Sequence, residues 1–366
     1  MKKNTNIINN VILFVVTVLA VLFVAFLGNK FFYGESLLVL ILLFLAGMAF
    51  FAFVNLLCHE IGHIVAGKKN GFEFVSTRVL FITIVKENGK YRYYFSPLVD
   101  ETGLAEMIPT HYDNIEERYK RTTRGGMIAN AILVVLGAIP LGLIMFLPFE
   151  AYFILCALFP ISIYSFLSNA LPMIGSGVKN DALVISDLKK NTDSAKVLIN
   201  ILKIQAELYN GKTPSEIDES LYFDLPQLPE DDINYIVLLT NQYSYYLDKK
   251  EYVEAVKILK RLDGLIDYLP GSYKNSILAE ELFVSCNIKR NEDLADDLMD
   301  TLEKFLYKEN NLTNLRIKIA YLIYILEEKE EAKRFIEKAE KEIKTLKIKG
   351  LAKYEQKLIE EMKKDI

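Results

Sequence analysis

The chain has 366 residues, 52% of them apolar, and a mean hydropathy of +0.20, which is too high for an ordinary soluble protein. The pI near 5.7 excludes a strongly basic, nucleic-acid-binding protein, and three widely spaced cysteines without a CxxC pair exclude a disulfide framework. Residues 1–180 carry 14 Lys and Arg against 11 Asp and Glu, whereas residues 181–366 carry 29 against 36. We therefore expect one half of the chain in lipid and the other in water.

Four apolar runs are long enough to cross a membrane, whose hydrocarbon core of about 30 Å takes about 20 helical residues. They cover residues 11–27, 37–57, 127–147 and 151–171. Basic residues concentrate before the first run, between the second and third, and after the fourth, whereas the opposite loops hold only Lys30. By the positive-inside rule, the sequence predicts a multi-pass protein of the cell membrane with both termini in the cytosol.

The segment between spans 2 and 3 has the composition of β-structure. Residues 72–85 are rich in β-branched and aromatic side chains, Asn88-Gly89 is a two-residue turn signal, and residues 91–95 resume the aromatic pattern. This pattern predicts a β-hairpin at the cytosolic face. The hairpin serves either as a connector or as an open strand edge for an extended peptide.

Span 2 runs directly into an HExxH motif at residues 59–63. Helical geometry places His59 and His63 one turn apart on one face, where two neutral imidazoles can hold one Zn²⁺. Glu60 is then close to the metal without ligating it, which is the position of a general base. Because such polar groups are costly in a membrane helix unless paired, ligated or hydrated, we predict a zinc site; the alternative is a coincidental polar end of the span.

Two later segments complete a resemblance. A glycine-led segment runs from Gly125 to Asn130, and an NxxP segment from Asn169 to Pro172 precedes Asp181. With the HExxH motif, these segments resemble the site-2 proteases, intramembrane zinc metallopeptidases, over about half of the chain. The resemblance implies that Asp181 is the third metal ligand and that Asn130 and Asn169 position the substrate or stabilise a charged intermediate. It also implies that the hairpin takes up substrate as an added strand.

The third ligand departs from the usual pattern of that family. Asp181 stands twelve residues after Asn169, whereas the family's Asp comes sooner and is followed by Gly. A bacterial subgroup with a longer insertion and an Asn-Asp-Gly ending matches better, because Asn180 precedes Asp181. The other interpretation of Asp181 is a helix N-cap, which would leave Asp187 as the reserve ligand. His111, in a polar stretch, is predicted to lie on the surface.

After residue 190 the sequence becomes charged, helical and locally self-similar. Three short segments resemble one another and contain Ala255, Ala295 and Ala332, which are spaced 40 and 37 residues apart. They resemble degenerate tetratricopeptide-type helix pairs over residues 230–345. Stacked pairs of this kind form a short α-solenoid with a concave surface, which would suit a cytosolic partner.

Together these patterns predict a mostly α protein: a polytopic membrane helix bundle of about four spans with a cytosolic β-hairpin insertion, followed by a cytosolic α-solenoid. We expect a membrane-embedded metalloprotease core over residues 1–185, a linker with connecting helices over 186–229, and the helical repeat over 230–366. The predicted function is an intramembrane zinc endopeptidase that acts on a membrane protein or a short membrane-associated peptide near the cytosolic leaflet. A catalytically inactive membrane scaffold with a structural metal site is the alternative. A metal transporter ranks third, since spans 1 and 3 offer almost no polar residues.

Overall fold

The chain is mostly helical and divides into two compact units. The computed structural model describes residues 3–87, 90–95, 103–175, 178–268, 271–308 and 311–366. Helix accounts for 74% of the structure, which confirms the predicted mostly α class. The first unit contains most of the chain up to residue 191, and the second contains residues 192–366 with two short earlier segments, 86–92 and 108–115.

Apolar helices dominate the first unit. They are α1 (Lys3–Phe31), α2 (Leu37–Lys69), α3 (Ile115–Gly142), α4 (Phe149–Cys156) and α5 (Leu158–Ala170). Among the described residues, four helical segments are long and apolar enough to cross a membrane, with α4 and α5 together forming the fourth. Large apolar side chains remain exposed along α1 and α2, for example Phe14 at 69% and Leu38 at 66%. On helices of this length, such surfaces are typical of a membrane-associated protein.

The fourth predicted span is interrupted at Ala157. Pro160 stands four residues after Cys156 and has no N–H with which to bond its carbonyl oxygen. The helical hydrogen bonding is therefore interrupted between α4 and α5, but Ala157 keeps helical dihedral angles (φ −62°, ψ −23°), and the two helices together form one candidate span.

The predicted hairpin is part of a four-stranded sheet. Its strands are β1 (Phe72–Val79), β2 (Ile82–Glu87), β3 (Lys90–Phe95) and β4 (Gly103–Pro109), in the order β3-β2-β1-β4. Residues 72–85 contain two strands: β1 pairs antiparallel with β2, Val79 opposite Ile82, around a turn in which Leu80 has φ 53°. The predicted Asn88-Gly89 turn lies outside the described residues. β3 and β4 are the two edge strands of the sheet.

The first unit ends with a short hairpin and a helix. Strands β5 (Ile174–Gly175) and β6 (Val178–Lys179) pair antiparallel, and α6 (Asp181–Lys190) follows directly. The chain after α5 therefore folds back before it enters α6.

The second unit is an all-helical array. Its helices are α7 (Asp193–Tyr209), α8 (Ser220–Phe223), α9 (Ile233–Asp248), α10 (Tyr252–Asp263), α11 (Gly271–Val284), α12 (Glu292–Lys308), α13 (Leu312–Tyr324), α14 (Lys329–Ile343) and α15 (Lys349–Met362). The helices α9 and α10, α11 and α12, and α13 and α14 pack as successive pairs. The predicted linker with connecting helices covers residues 186–229; its residues 192–229 lie within this unit, where α7 packs on α9 and α15.

The three helix pairs repeat one local geometry. In each pair the second helix carries a completely buried alanine: Ala255, Ala295 and Ala332. Five residues before each alanine, the connecting loop has a non-glycine residue in the left-handed region: Lys250, Arg290 and Glu327, with φ of 63°, 53° and 56°. The three self-similar segments therefore occupy equivalent places in three helix pairs. Their assembly into a cytosolic solenoid stays a prediction.

Candidate metal centre

Three side chains converge on one point of the first unit. His59 and His63 come from α2, and Asp181 is the first residue of α6. The Nε2 atoms of the two imidazoles are 3.0 Å apart. Asp181 Oδ2 lies 3.4 Å from Nε2 of His59 and 3.3 Å from Nε2 of His63. Asp181 Oδ2 is buried without a hydrogen-bond donor among the described residues. A buried carboxylate oxygen in this setting requires a cation or a proton.

The three ligand atoms fit around one small divalent ion. A tetrahedral ion with metal–ligand bonds of about 2.0–2.1 Å separates its ligand atoms by about 3.3–3.4 Å. The observed separations of 3.0, 3.3 and 3.4 Å are close to this value. Two imidazoles and one carboxylate also leave a fourth position for water or substrate. The cluster can therefore bind a metal ion, although the same donors suit several first-row ions and do not select one.

The other nitrogen of each imidazole has a partner from α3 that orients the ring. His63 Nδ1 lies 3.2 Å from the carbonyl oxygen of Thr122, to which an Nδ1–H donates, and this leaves Nε2 free as a ligand. His59 Nδ1 lies 3.1 Å from the side-chain amide of Asn130, which is 1% exposed. The contacting atom is Nδ2 of Asn130, which also donates to the carbonyl oxygen of Ser165 at 3.1 Å, so this amide links the ring of His59 to α5. These contacts favour a role in orienting His59, and the predicted role of Asn130 on substrate stays a prediction.

The glycine-led segment allows α3 to lie directly on the imidazoles. A Cβ atom at Gly126 would meet His63 Nε2 at 2.5 Å and His59 Nδ1 at 2.7 Å. One position earlier, a Cβ at Gly125 would overlap the carbonyl oxygen of Gly62 on α2. Side chains here would separate the two helices, so this pair of glycines sets the approach of Thr122 and Asn130 to the ligands.

Glu60 is buried beside the cluster. Its residue is 4% exposed, and its Oε1 lies so close to Gly103 that a Cβ there would overlap it. Among the described residues, no hydrogen bond or ion pair occupies the carboxylate, so it can accept a proton. Since Gly103 is the first residue of β4, this edge strand begins next to Glu60.

Asn180 holds the third ligand in place, a role that the sequence interpretation missed. The N-cap of α6 is Asn180 and not Asp181: its Oδ1 accepts from the backbone N–H of Leu183 at 3.1 Å. Its Nδ2 donates to the carbonyl oxygens of Ser168 and Leu171, both at 2.6 Å. One amide thus ties the end of α5 to the start of α6. An Asn at a helix start was the only available signal in the sequence.

Replacing Asn180 with Ala is expected to weaken metal binding by about 10- to 100-fold, because Asp181 then loses its anchor to α5. The measurement is competition for Zn²⁺ between the purified full-length protein and a chelating dye. Thr192→Ala is the matched control, since Thr192 caps α7 in the same way but is not joined to a ligand. Equal affinity in the Asn180 variant and in wild type would contradict this role.

The second predicted asparagine lies near the first. Asn169 donates to the carbonyl oxygen of Ser165 at 3.2 Å, and Asn130 donates to the same oxygen at 3.1 Å. The structure therefore brings both side chains to one carbonyl on α5, beside the metal cluster.

The remaining candidate residues have other partners. Asp187, the reserve ligand, forms an ion pair with Lys179 at 3.0 Å. His111 is half exposed and lies 3.7 Å from the carboxylate of Asp113. Neither belongs to the three-residue cluster that can hold an ion.

No family model, curated protein or solved structure matches this chain. The resemblance to the site-2 proteases therefore stands on its motifs alone. Function has to be argued from the chemistry of the cluster itself.

Proposed function

We propose that this protein is an intramembrane zinc endopeptidase that hydrolyses peptide bonds of membrane-inserted or membrane-associated substrates near the cytosolic leaflet. One observation carries the proposal: His59, His63 and Asp181 converge within 4.8 Å, with the buried carboxylate of Glu60 beside them. A bound Zn²⁺ would supply the Lewis acidity that makes water reactive near neutral pH. A purely structural site would have no use for a base at this position.

The roles of the protein's own groups follow from their places. His59, His63 and Asp181 hold the ion through two nitrogens and one oxygen. Glu60 accepts a proton from the attacking water and delivers it to the leaving amine nitrogen. Thr122 and Asn130 keep the imidazole rings oriented through their outer nitrogens.

Edge strand β4 is the part of the sheet best placed to present substrate. A membrane helix hides its amides in internal hydrogen bonds, so a substrate segment must unwind before water can reach a carbonyl carbon. An extended segment added to β4 would run past Gly103 and hence past Glu60. β3 lies at the opposite edge of the sheet. We therefore assign substrate pairing to β4.

The topology in this proposal places both chain ends in the cytosol. The distribution of basic residues supports it, and so does a contact within the first unit. Asn9, near the start of α1, donates to the carbonyl oxygen of Pro172 at 2.8 Å, just beyond the end of α5. The start of the first span and the end of the fourth thus lie at the same level. The second unit would then face the cytosol, where its helix pairs would recruit a substrate or a protein partner.

The proposal is tested by mapping new N-termini in membranes that contain the protein. We expect N-termini within or next to apolar segments to appear with the wild-type chain, to disappear with the zinc chelator 1,10-phenanthroline, and to return when Zn²⁺ is added. Membranes without the protein are the control. The proposal fails if no N-terminus depends on the protein, or if those that do are insensitive to the chelator.

A further inference from the structure

A second feature of the first unit is a groove between α3, α5 and α6. Its volume is about 570 Å³, and none of the three metal ligands lines it. Its walls are mostly apolar, with Met127, Ile128, Phe166 and Ile185 among the lining residues. The metal chemistry described above does not use this groove.

Two helices contribute matching stripes to the groove. On α3 the stripe follows the spacing i, i+3, i+4, i+7: Arg124, Met127, Ile128 and Ala131. On α6 it follows the same spacing: Ala182, Ile185, Ser186 and Lys189. Each stripe has one basic end: Arg124 is the first position of the α3 stripe, and Lys189 is the last position of the α6 stripe. In the proposed topology both basic ends face the cytosol, because Arg124 precedes the apolar part of α3 and α6 ends at Lys190.

Three positively charged side chains line the groove. Arg124, Lys189 and Lys190 line it, are exposed, and have no hydrogen bond or ion pair in the part of the chain that the structure describes. None of its described lining residues is acidic. Asp187, the acidic residue nearest to the two lysines along α6, is already paired with Lys179.

We propose that this groove binds one anionic phospholipid, with the headgroup phosphate at Arg124, Lys189 and Lys190 and an acyl chain along the apolar wall. Cations at one end of an apolar groove complement an amphiphile with an anionic head. A substrate peptide is a poorer fit, because the three walls are helices whose backbone groups are satisfied internally and offer no strand edge. The proposal does not depend on proteolytic activity.

The test compares lipid binding by the full-length protein in detergent micelles. The probes are phosphatidylglycerol and phosphatidylcholine with identical acyl chains, and the readout is lipid-bound mass in native mass spectrometry over a titration. We expect wild type to bind one phosphatidylglycerol in preference to phosphatidylcholine. The variant R124Q/K189Q/K190Q is expected to bind phosphatidylglycerol on the order of 100-fold more weakly, since each of the three basic residues near a headgroup contributes about 1 kcal/mol.

A matched control removes the same charge elsewhere in this unit. The variant K68Q/K69Q/R121Q replaces three other exposed basic residues that do not line the groove, and it is expected to bind like wild type. Ala131→Phe fills the apolar wall without changing charge and is expected to weaken binding as well. Thermal unfolding of each variant establishes that it is folded.

The proposal would be overturned by equal binding of the two lipids or by equal losses of binding in the two triple variants. Unchanged binding by the groove triple variant, or by Ala131→Phe, would also overturn it. Competition with inorganic phosphate and with an acidic peptide identifies the source of the recognised anion. Displacement of phosphatidylglycerol by phosphate alone would reduce the groove to an anion site. Displacement by the peptide would make it a peptide groove.

Discussion

Replacing Glu60 with Gln is expected to lower the rate of substrate cleavage by about 10²- to 10⁴-fold while leaving metal content unchanged. Gln has nearly the same shape and fits the same buried position, but its amide cannot accept a proton from water. The three ligand atoms come from other residues, so the ion should be retained. The measurements are the rate at which a chelator-sensitive N-terminus forms and the number of zinc ions per purified chain.

Two further variants sharpen the test of Glu60. Glu35→Gln makes the same chemical change at an exposed residue between α1 and α2 and should leave the rate unchanged. Asp181→Ala removes a ligand and should lower metal content together with activity. Cleavage by Glu60→Gln at the wild-type rate would remove the enzyme hypothesis. A metal site that stabilises the fold with no cleavage in any variant would favour the scaffold alternative.

Whether a residue of this site can be predicted from the sequence depends on how far along the chain it lies from the other ligands. His59, Glu60 and His63 occupy one stretch of helix, so the period of 3.6 residues alone places the two imidazoles on one face. Asp181 lies more than one hundred residues later, and no local pattern brings it there. Only the resemblance named it. In the structure, the β5–β6 hairpin and the side-chain amide of Asn180 position Asp181 beside the two histidines.

The fold shows the same division between local and distant information. Hydropathy located the four apolar runs, because a helix that can span a membrane is recognised from its length and apolar composition alone. It did not predict the interrupted hydrogen bonding at Ala157, because one proline changes hydrogen bonding with little effect on hydropathy. The apolar pattern also gave no signal for the turn between β1 and β2, because Leu80 and Phe81 continue that pattern. Strand β4 escaped prediction, since its pairing partner β1 is determined by tertiary packing.

Arg316→Met is expected to destabilise the second unit by about 3–5 kcal/mol, because it leaves the buried carboxylate of Glu355 and the partly buried one of Glu280 without their cation. Arg316 is 1% exposed; its Nε donates to Glu355 at 2.7 Å, and its Nη2 donates to Glu280 at 2.5 Å. Its guanidinium also lies 4.1 Å from the centroid of the Phe283 ring. These partners belong to α11 and α15, so one side chain on α13 connects three helices. Thermal unfolding of the full-length variant should show a midpoint for this unit about 10 °C below that of wild type. Hydrogen exchange in α13 and α15 identifies the transition that belongs to this unit.

The pH dependence of that deficit distinguishes loss of charge pairing from loss of packing. Burial raises the pKa of Glu355, and the positive charge of Arg316 opposes that rise. In the Arg316→Met variant the pKa of Glu355 should therefore be higher than in wild type. The folded variant then binds a proton that the unfolded chain releases, and its stability falls as pH rises through that interval. Its deficit relative to wild type should therefore be smaller at about pH 5 than at about pH 8. Adding Glu355→Gln to the Arg316 variant should recover part of the stability at the higher pH. The control is Arg261→Met, which breaks an exposed ion pair with Glu230 and should lower the stability by less than about 1 kcal/mol at either pH. A deficit independent of pH would mean that Arg316 stabilises the unit by packing alone.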